Sequence, residues 1–384
     1  MSKTKVLFVV YDFFQAGAER FAYEIDQALD KKKYETSILC LQIEKHKDDT
    51  WKEPYYFQKH KNLGTKIFFF DKFLPSKILV NRGVRVIKRK LYNTPTCDYN
   101  SKLVPFFNHY DLIHWIGEYT YLHNLPQKIV SKSLISSMSA RFQNPKLYAK
   151  FDFNLKYNFA DAFSQEERVF EYAEFRDTIH WHIPLLFKIS SKTNGWKFAN
   201  NGIKKIGIFT RLDRYKPLDP FFYAFHLLLN EVADCELHIF GNGDPEKEGM
   251  SRYISNLGIR SKVFFRGHQE NIVETAKREH IDLSWFQGYN NNRPAGYAGF
   301  DICSTGTPLI CWDFLEMPSN PFNEIYPHYK NLLQFVDKSK VILTNEDEAN
   351  SLSFKQFRDV LENRDIDKNF HLIENAYRSI LQNK

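Results

Sequence analysis

Short apolar runs alternate with amphipathic stretches along the chain. Runs of this kind predict β-strands, and apolar positions three or four residues apart predict helices. The predicted strands cover 5–11, 36–41, 66–70, 111–115, 133–136 and 162–164 in the first half, and 204–210, 236–240, 262–265, 281–286, 309–312 and 341–344 in the second. The predicted helices include 19–29, 221–229 and 369–381. Because strands alternate with helices, the pattern predicts α/β domains whose parallel sheets are covered by helices.

The strand–helix rhythm occurs twice. Between the two halves, the stretch around 182–202 loses its periodicity and gathers Ser, Asn and Gly, as linkers do. The sequence therefore predicts an amino-terminal Rossmann-like domain over 1–185, a linker over 186–203 and a carboxyl-terminal Rossmann-like domain over 204–365. A final helical segment follows over 366–384.

Net charge and cysteine usage indicate which cellular compartment and which kind of partner to expect. The net charge of +7 favours anionic partners, whether nucleotide, membrane surface or nucleic acid. Five scattered cysteines without a CxxC pair indicate neither a disulfide framework nor a zinc site, which fits a reducing, cytoplasmic setting. No cleavage site follows the apolar start and no apolar run approaches 18 residues, so neither a signal peptide nor a spanning helix is expected.

A glycine-rich loop in the second half is the first candidate for chemistry. Gly288, Gly296 and Gly299 follow the strand predicted at 281–286 and precede a short helix-like segment. At the carboxyl end of a parallel strand, such a loop lets backbone N–H groups approach a phosphate at a helix N-terminus. The alternative is a tight turn without a ligand.

Two cations follow another strand of the same half. Arg211 comes directly after the strand at 204–210, and Lys216 follows five residues later, just before a predicted helix. Cations at a strand's carboxyl end suit a diphosphate, so these residues are candidates for its neutralisation. The alternative is a solvated charged loop, since Arg and Lys are mostly surface residues.

The segment 77–91 is the candidate for membrane contact. Residues 77–90 contain six basic residues and no acid, with apolar residues at helical spacing. A basic amphipathic helix can lie on an anionic membrane surface, which would make the protein peripheral on the inner face of the membrane. The alternative is a domain helix whose apolar stripe packs inward.

The order and spacing of the motifs resemble the carboxyl-terminal half of glycosyltransferase family 4. The motifs are Arg211 with Lys216, the Gly-Asn-Gly at 241–243, the Arg-Gly at 266–267, and Asp301 five residues before Gly-Thr-Pro at 306–308. In the first half, Ala-Gly-Ala-Glu-Arg at 16–20 is similar to the family's glycine loop. The resemblance implies a GT-B fold, in which two Rossmann-like domains face a cleft and the final helix crosses back to the first domain.

The same resemblance implies an activity. A UDP-sugar or GDP-sugar would donate its sugar to a hydroxyl of a glycan or lipid-linked acceptor, with retention and without a metal, in bacterial surface polysaccharide or glycolipid synthesis. No cofactor is expected. A nucleic-acid partner is not expected either, because no clustered aromatic and basic motif for reading nucleic acid is present.

Family roles carry over to individual positions. Arg211 and Lys216 match the cation pair, and Asp301 matches the carboxylate that usually holds the nucleotide ribose. The remaining positions are Gly17 at the edge of the cleft, Gly241 and Gly243 at a strand end, His268 near the base, and the diphosphate-binding amides around Gly296, Tyr297 and Ala298.

Two departures from the family pattern bear on catalysis. Arg293 replaces the carboxylate that contacts the transferred sugar, and this suits a substrate with its own negative group. The acceptor-side histidine has no direct match. His114 and Arg141 are nearby substitutes, although a lone histidine at a strand end is more often structural. An active transferase is the first hypothesis, because Arg211, Lys216, Gly296 and Asp301 occur together. The alternatives are a degenerate GT-B binding subunit and another GT-B enzyme such as a nucleotide-sugar epimerase.

Overall fold

The computed structural model describes residues 2–42, 54–73, 100–116, 129–137, 157–160, 179–190, 192–212, 218–289, 293–294, 296–312 and 325–382. The chain divides into two units, one formed by 1–187 with 366–384 and the other by 188–365. Four sequence-based candidates lie outside the described residues: the strand at 162–164, the segment 77–91, Arg141 and Lys216. The membrane contact expected for 77–91 therefore stays a prediction.

The first unit is built on a parallel sheet. Its described strands are β1 (Thr4–Val10), β2 (Tyr34–Cys40), β3 (Lys66–Phe69), β4 (Leu112–Ile116), β5 (Lys132–Ser137), β6 (Tyr157–Ala160) and β7 (Ile179–His182). Their spatial order is β3-β2-β1-β4-β5-β6-β7, and each neighbouring pair is parallel. The order reverses between β1 and β4, as in doubly wound folds. The five strands predicted at 5–11, 36–41, 66–70, 111–115 and 133–136 are thus confirmed.

Helices cover this sheet through their apolar stripes. The described helices of the unit are α1 (Gly17–Ala28), α2 (Tyr55–Asn62), α3 (Asn100–Phe107), and two at the carboxyl terminus that are described below. α1 buries Phe21, Ala22 and Ile25, which lie three and four residues apart. The helix predicted over 19–29 forms for this reason.

A buried polar network joins α1 to α2 and to the start of β3. The carboxylate of Asp26 lies 2.7 Å from Nδ1 of His60 and accepts a hydrogen bond from the Thr65 hydroxyl at 2.6 Å. Lys31 also donates to Asp26. Burial by itself raises the pKa of Asp26, but the hydrogen bond with His60 and the charge of Lys31 outweigh it and lower the pKa. Asp26 therefore stays ionised and ties three elements together.

The carboxyl-terminal helices pack on the first unit. They are α10 (Ile366–Asn369) and α11 (His371–Gln382), and the backbone N–H of Ile366 donates to the carbonyl of Phe187 at 3.1 Å. α11 buries Ile373, Ala376, Tyr377 and Ile380, the stripe that predicts a helix over 369–381. The chain thus returns to its first unit after completing the second.

The second unit repeats the doubly wound arrangement. Among the residues that the structure describes, its strands are β8 (Lys204–Phe209), β9 (Cys235–Phe240), β10 (Val263–Gly267), β11 (Leu283–Tyr289), β12 (Arg293–Pro294), β13 (Leu309–Trp312) and β14 (His328–Tyr329). The order is β10-β9-β8-β11-β13-β14, all parallel, with β12 antiparallel to β11. The reversal between β8 and β11 makes them the strands on either side of the switch point.

The described helices of this unit are α4 (Asp219–Leu228), α5 (Met250–Asn256), α6 (Ile272–Glu279), α7 (Tyr297–Cys303), α8 (Leu332–Thr344) and α9 (Glu346–Asn363). α4 buries Phe221, Phe222 and Phe225 in a core that includes Trp285. Gln356 of α9 attaches the helix to β13, because its side chain accepts from the N–H of Leu309 at 2.8 Å and donates to the Leu309 carbonyl at 2.7 Å.

The strand predicted at 341–344 is wrong, since these residues form the last turn of α8. The β-branched Val341, Ile342 and Thr344 suggested a strand. The side chain of Asn331 caps the helix by accepting from the N–H groups of Leu333 and Gln334. The stripe that α8 buries, which includes Phe335, Ser339 and Ile342, has helical spacing. Tertiary burial thus outweighs local propensity here.

Residues 188–203, most of the predicted linker, cluster with the second unit. Trp196 donates its indole N–H to the carbonyl of Ile281 at 3.1 Å and packs against the core. The amide of Asn194 lies where a Cβ on Gly306 would be, 1.8 Å from Oδ1. Since Gly306 has φ of +87°, its glycine is required both by backbone conformation and by space.

None of the helices in the described ranges combines the length and the apolar character needed to cross a membrane.

One buried histidine makes the stability of the fold depend on pH. His114 of β4 is fully buried, with Nδ1 at 2.7 Å from the Tyr377 hydroxyl of α11 and Nε2 at 2.5 Å from the Ser136 hydroxyl of β5. Burial lowers the pKa of His114 to about 3. The ring therefore stays neutral and links the final helix to two central strands.

We expect His114→Gln to reduce the loss of stability on mild acidification. Between pH 6.5, near the pKa of an unfolded histidine, and the folded value, only the unfolded chain takes up this proton, so stability falls as pH falls. From pH 7.5 to pH 5 the wild-type protein should lose about 2 kcal/mol more than the variant, as measured by urea unfolding. Burial also lowers the pKa of His238, so the variant keeps part of the slope. Equal slopes in both proteins would contradict this prediction.

Candidate functional site

The loops that follow β8, β9 and β10 lie side by side at one edge of the second sheet. The N–H of Thr210 donates to the carbonyl of Phe240 at 3.0 Å, and the N–H of Leu212 donates to the carbonyl of Asn242 at 2.8 Å. The N–H of Gly241 donates to the carbonyl of Gly267 at 2.9 Å. The carboxyl ends of the three strands therefore form a continuous backbone surface.

Gly241 and Gly243 permit this close approach. A Cβ on Gly241 would lie 1.6 Å from the carbonyl oxygen of Thr210, and one on Gly243 would lie 2.4 Å from that of Leu212. Gly243 also has φ of +132°, which side chains disfavour. The sequence predicts both glycines as ligand-binding positions. In the structure they let the backbone on both sides of Arg211 pack closely against the loop after β9.

Arg211 and the glycine-rich loop follow the two strands that flank the switch point. Arg211 comes two residues after β8 and is exposed. β11, which precedes the glycine-rich loop, pairs with β8 through Leu283 opposite Ile206 and Ser284 opposite Gly207. In doubly wound sheets ligands bind outside the carboxyl ends of the strands at this point. The structure therefore brings two separate sequence candidates to the same sheet edge.

α7 begins at this edge and carries the predicted ribose-binding residue. Gly296 precedes the helix with φ of +77°, and no side chain caps the helix N-terminus. Tyr297 and Asp301 are each 5% exposed, whereas Ala298 is partly exposed. The carboxylate of Asp301 thus belongs to a largely desolvated part of the helix, where hydrogen bonds to a charged group are strong.

Arg293 and His268 are the other candidates of this unit. Arg293 pairs with Tyr289 in the short antiparallel β12 strand, which the sequence analysis did not predict. His268 is exposed and directly follows Gly267 at the end of β10, in the row of strand ends that includes Gly241. Arg293 therefore lies in a strand paired with β11, and His268 directly follows β10 of the same sheet.

In the first unit, Gly17 starts α1 after β1. A Cβ added there would meet no atom within 4 Å, so the position faces open space. Nearby, Asp12 is only 5% exposed and its Oδ1 accepts from the N–H of Phe13 at 2.7 Å. Sequence reasoning had not singled out this buried carboxylate. Its one signal was an acid within an otherwise apolar run.

The environment of His114 favours the structural alternative. Its side chain has no exposed surface, and both ring nitrogens lie within hydrogen-bond distance of hydroxyl groups. A general base has to reach the proton it abstracts, directly or through one water. The buried ring instead joins α11 to the sheet, as described above.

Sequence reasoning also missed a buried polar cluster behind α7. It consists of Phe300, Tyr326, Asp359 and Arg364. These residues are scattered over 65 positions of the chain, in two helices, a loop and the residue that follows α9, so spacing could not have indicated that they meet. Arg364 in particular ends a charged helix, where a solvated side chain is the usual expectation.

Comparison with known proteins agrees with this architecture. No family model matches the chain. A segment of 112 residues is 26% identical to poly(glycerol-phosphate) alpha-glucosyltransferase of Bacillus subtilis, covering 29% of this chain and only 16% of that protein.

Solved structures match over nearly the whole chain. A variant of S. aureus TarM, in complex with UDP, alpha-GlcNAc-glycerol and fondaparinux, has a TM-score of 0.70 at 10% identity and covers 99% of this chain and 100% of its own. Anabaena HepE, in complex with UDP and glucose, has a TM-score of 0.68 at 12% identity, with 98% and 100% covered. Sucrose-phosphate synthase of Thermosynechococcus elongatus has a TM-score of 0.69 at 13% identity, with 98% and 99% covered. With its two doubly wound units, the chain has the α/β GT-B fold.

Proposed function

We propose that the protein is a glycosyltransferase of the family 4 type, which transfers a sugar from a UDP-sugar or GDP-sugar to a hydroxyl group. The observation that carries this proposal is the position of Arg211 and α7 after the two strands at the switch point of the second sheet. A guanidinium, a helix N-terminus and a buried carboxylate at one sheet edge suit a nucleoside diphosphate. UDP is present in the matched structures of TarM and HepE, which supports the same ligand here.

The proposed chemistry needs a stabilised leaving group. When the bond between the sugar and the diphosphate breaks, negative charge grows on the diphosphate oxygens. Arg211, Lys216 and the backbone amides near Gly296 would neutralise this charge. Because they supply a positive field, we propose transfer that does not depend on a metal, with retention at the anomeric carbon.

For the acceptor, we propose a hydroxyl of an anionic glycan or lipid-linked polymer in bacterial surface polysaccharide synthesis. The partial match to a poly(glycerol-phosphate) glucosyltransferase supports a phosphate-containing acceptor. Arg293 supports it as well, since a guanidinium can bind a phosphate or carboxylate through two parallel hydrogen bonds.

A second candidate function is a catalytically degenerate GT-B subunit of a glycosylation complex. Two observations favour it: Arg293 stands where the family pattern has a carboxylate, and the acceptor-side substitute His114 is fully buried. Such a subunit would bind nucleotide weakly or not at all. The measurements below therefore separate the two functions.

Replacing either cation should weaken nucleotide binding. A charge-assisted hydrogen bond contributes about 1.5–3 kcal/mol, so Arg211→Ala and Lys216→Ala should each raise the Kd for UDP or GDP by about 10-fold to 150-fold. Isothermal titration calorimetry measures this, and Arg252→Ala, an exposed arginine on α5, is the matched control. Unchanged affinity in both variants would refute the diphosphate assignment.

The two altered motif positions should behave differently. Asp301→Ala should lose nucleotide affinity by about 10-fold to 150-fold, because a hydrogen bond to a charged group is lost. Arg293→Glu should bind nucleotide normally and fail in transfer to an anionic acceptor. If the wild-type protein binds no nucleoside diphosphate at millimolar concentration, the degenerate-subunit function replaces the enzymatic one.

Transfer should continue in the presence of a chelator. The protein's own cations and amides are expected to neutralise the diphosphate, so EDTA should leave the rate of sugar transfer unchanged. NMR of the product should show the anomeric configuration of the donor. Activity that disappears with EDTA and returns with manganese would contradict metal independence, and an inverted product would contradict retention.

A further inference from the structure

The guanidinium of Arg364 lies against the helix that carries Asp301. Arg364 follows α9 and is 1% exposed, and its Cζ lies 3.5 Å from the ring centroid of Phe300. Phe300, which is fully buried, directly precedes Asp301 on α7. A cation over an aromatic face is attracted by the ring's negative charge density, most strongly where water is excluded.

The cluster is completed by a carboxylate and a phenol. Nε of Arg364 lies 4.0 Å from Oδ2 of Asp359, and the Tyr326 hydroxyl donates to the same oxygen at 2.6 Å. Burial raises the pKa of Tyr326 well above its ordinary value, so the phenol keeps its proton for this bond. The ring of Tyr326 also meets Phe300 edge to face, with centroids 5.6 Å apart.

Phe300 is therefore held on two sides by groups that Asp359 connects. Breaking such a cluster by removing one partner leaves a buried charge without compensation, so the four side chains tend to keep one arrangement. This arrangement is more defined than apolar packing alone would give, because the phenol has a directional hydrogen bond to Asp359 and the guanidinium lies over the face of the Phe300 ring.

α7 depends on such support for its orientation. The helix has seven residues, and Gly296, the N-cap residue before it, has no side chain that could cap the helix. Helices of this length are not stable by themselves and take their position from tertiary contacts. The contacts of Arg364 and Tyr326 with Phe300 thus fix the rotation of α7, and with it the direction of the neighbouring Asp301.

We propose that Arg364 is a positioning residue for nucleotide recognition: it holds Phe300 and thereby aims the Asp301 carboxylate at the ribose of the donor. This inference rests on the proposed function, in which Asp301 binds the ribose. Arg364 itself does not touch the ligand. Its effect should therefore appear with ligands that contain a ribose and be absent with a diphosphate alone.

The test is a double-mutant cycle read with two ligands. Arg364→Met, Asp301→Ala and the double variant are titrated with UDP and with pyrophosphate, which has no ribose. Arg364→Met should weaken UDP binding by about tenfold and leave pyrophosphate binding within about twofold. Because both residues act on one contact, the double variant should bind UDP no more weakly than Asp301→Ala alone.

Two further variants complete the test. One is a matched control, and the other disrupts the same contact from the side of Phe300. Arg358→Met removes an exposed arginine from the same helix, where it pairs with Glu362, and should change neither affinity. Phe300→Leu keeps the cation and removes the ring, and it should reproduce the selective loss of UDP binding. It also carries the test if Arg364→Met fails to fold.

The possible results distinguish a failure of the positioning role of Arg364 from a failure of the proposed function. Equal losses for UDP and pyrophosphate, or additive effects of Arg364→Met and Asp301→Ala, would overturn the positioning role. Normal UDP binding by both Arg364→Met and Phe300→Leu, with weakened binding by Asp301→Ala, would overturn it too while leaving the proposed function intact. A wild-type protein that binds neither UDP nor GDP would overturn the proposed function and this inference with it.

Discussion

The pairing of β8 with β11 is the constraint on which the candidate site depends. These strands are far apart in the chain, and their parallel register sets Arg211 and the N-terminus of α7 after neighbouring strand ends. The loops on the other side of β8 then pack backbone to backbone, which Gly241 and Gly243 allow because a Cβ at either position would overlap a carbonyl oxygen. Both the charge and the backbone surface of the site follow from this one edge of the sheet.

Buried polar contacts hold the elements around the two sheets in specific positions. In the first unit, Asp26 joins α1 to α2, and His114 joins β4 to the final helix. In the second, Gln356 attaches α9 to β13, and Arg364 attaches the end of α9 to α7. Apolar burial supplies most of the driving force for folding, whereas paired polar groups favour one arrangement over others because an unpaired partner would be costly.

The residues in and around the candidate site differ in how well they should tolerate substitution. Arg211 is exposed and can be replaced without disturbing a core, so its variants report on binding. Gly243 and Gly306 have positive φ and meet backbone or side-chain atoms where a Cβ would be, so their replacement reports on folding. Asp301 lies between these extremes, since it is buried but belongs to a short helix at the sheet edge.

The sequence by itself determined the alternation of strands and helices and the doubly wound α/β class. Apolar runs such as 5–11 and 204–210 have one stable environment, a buried parallel strand, and Arg211 comes two residues after the strand formed by the second of these runs. Local pattern failed at 341–344, where β-branched residues lie in a helix because Asn331 caps it and its stripe is buried. For His114 it favoured a structural role over a catalytic one only because a lone histidine at a strand end is more often structural.

Only the tertiary structure decided those points, because each depends on partners distant in the chain. His114 lies within hydrogen-bond distance of Tyr377, 263 residues away, and the guanidinium of Arg364, just after α9, lies over the ring of Phe300 on α7. Periodicity records which face of an element is apolar, but it carries no information about which other element covers that face. The contacts of Phe300 with Arg364 and Tyr326 are therefore invisible in the sequence and become evident once the sheet brings α7 and α9 together.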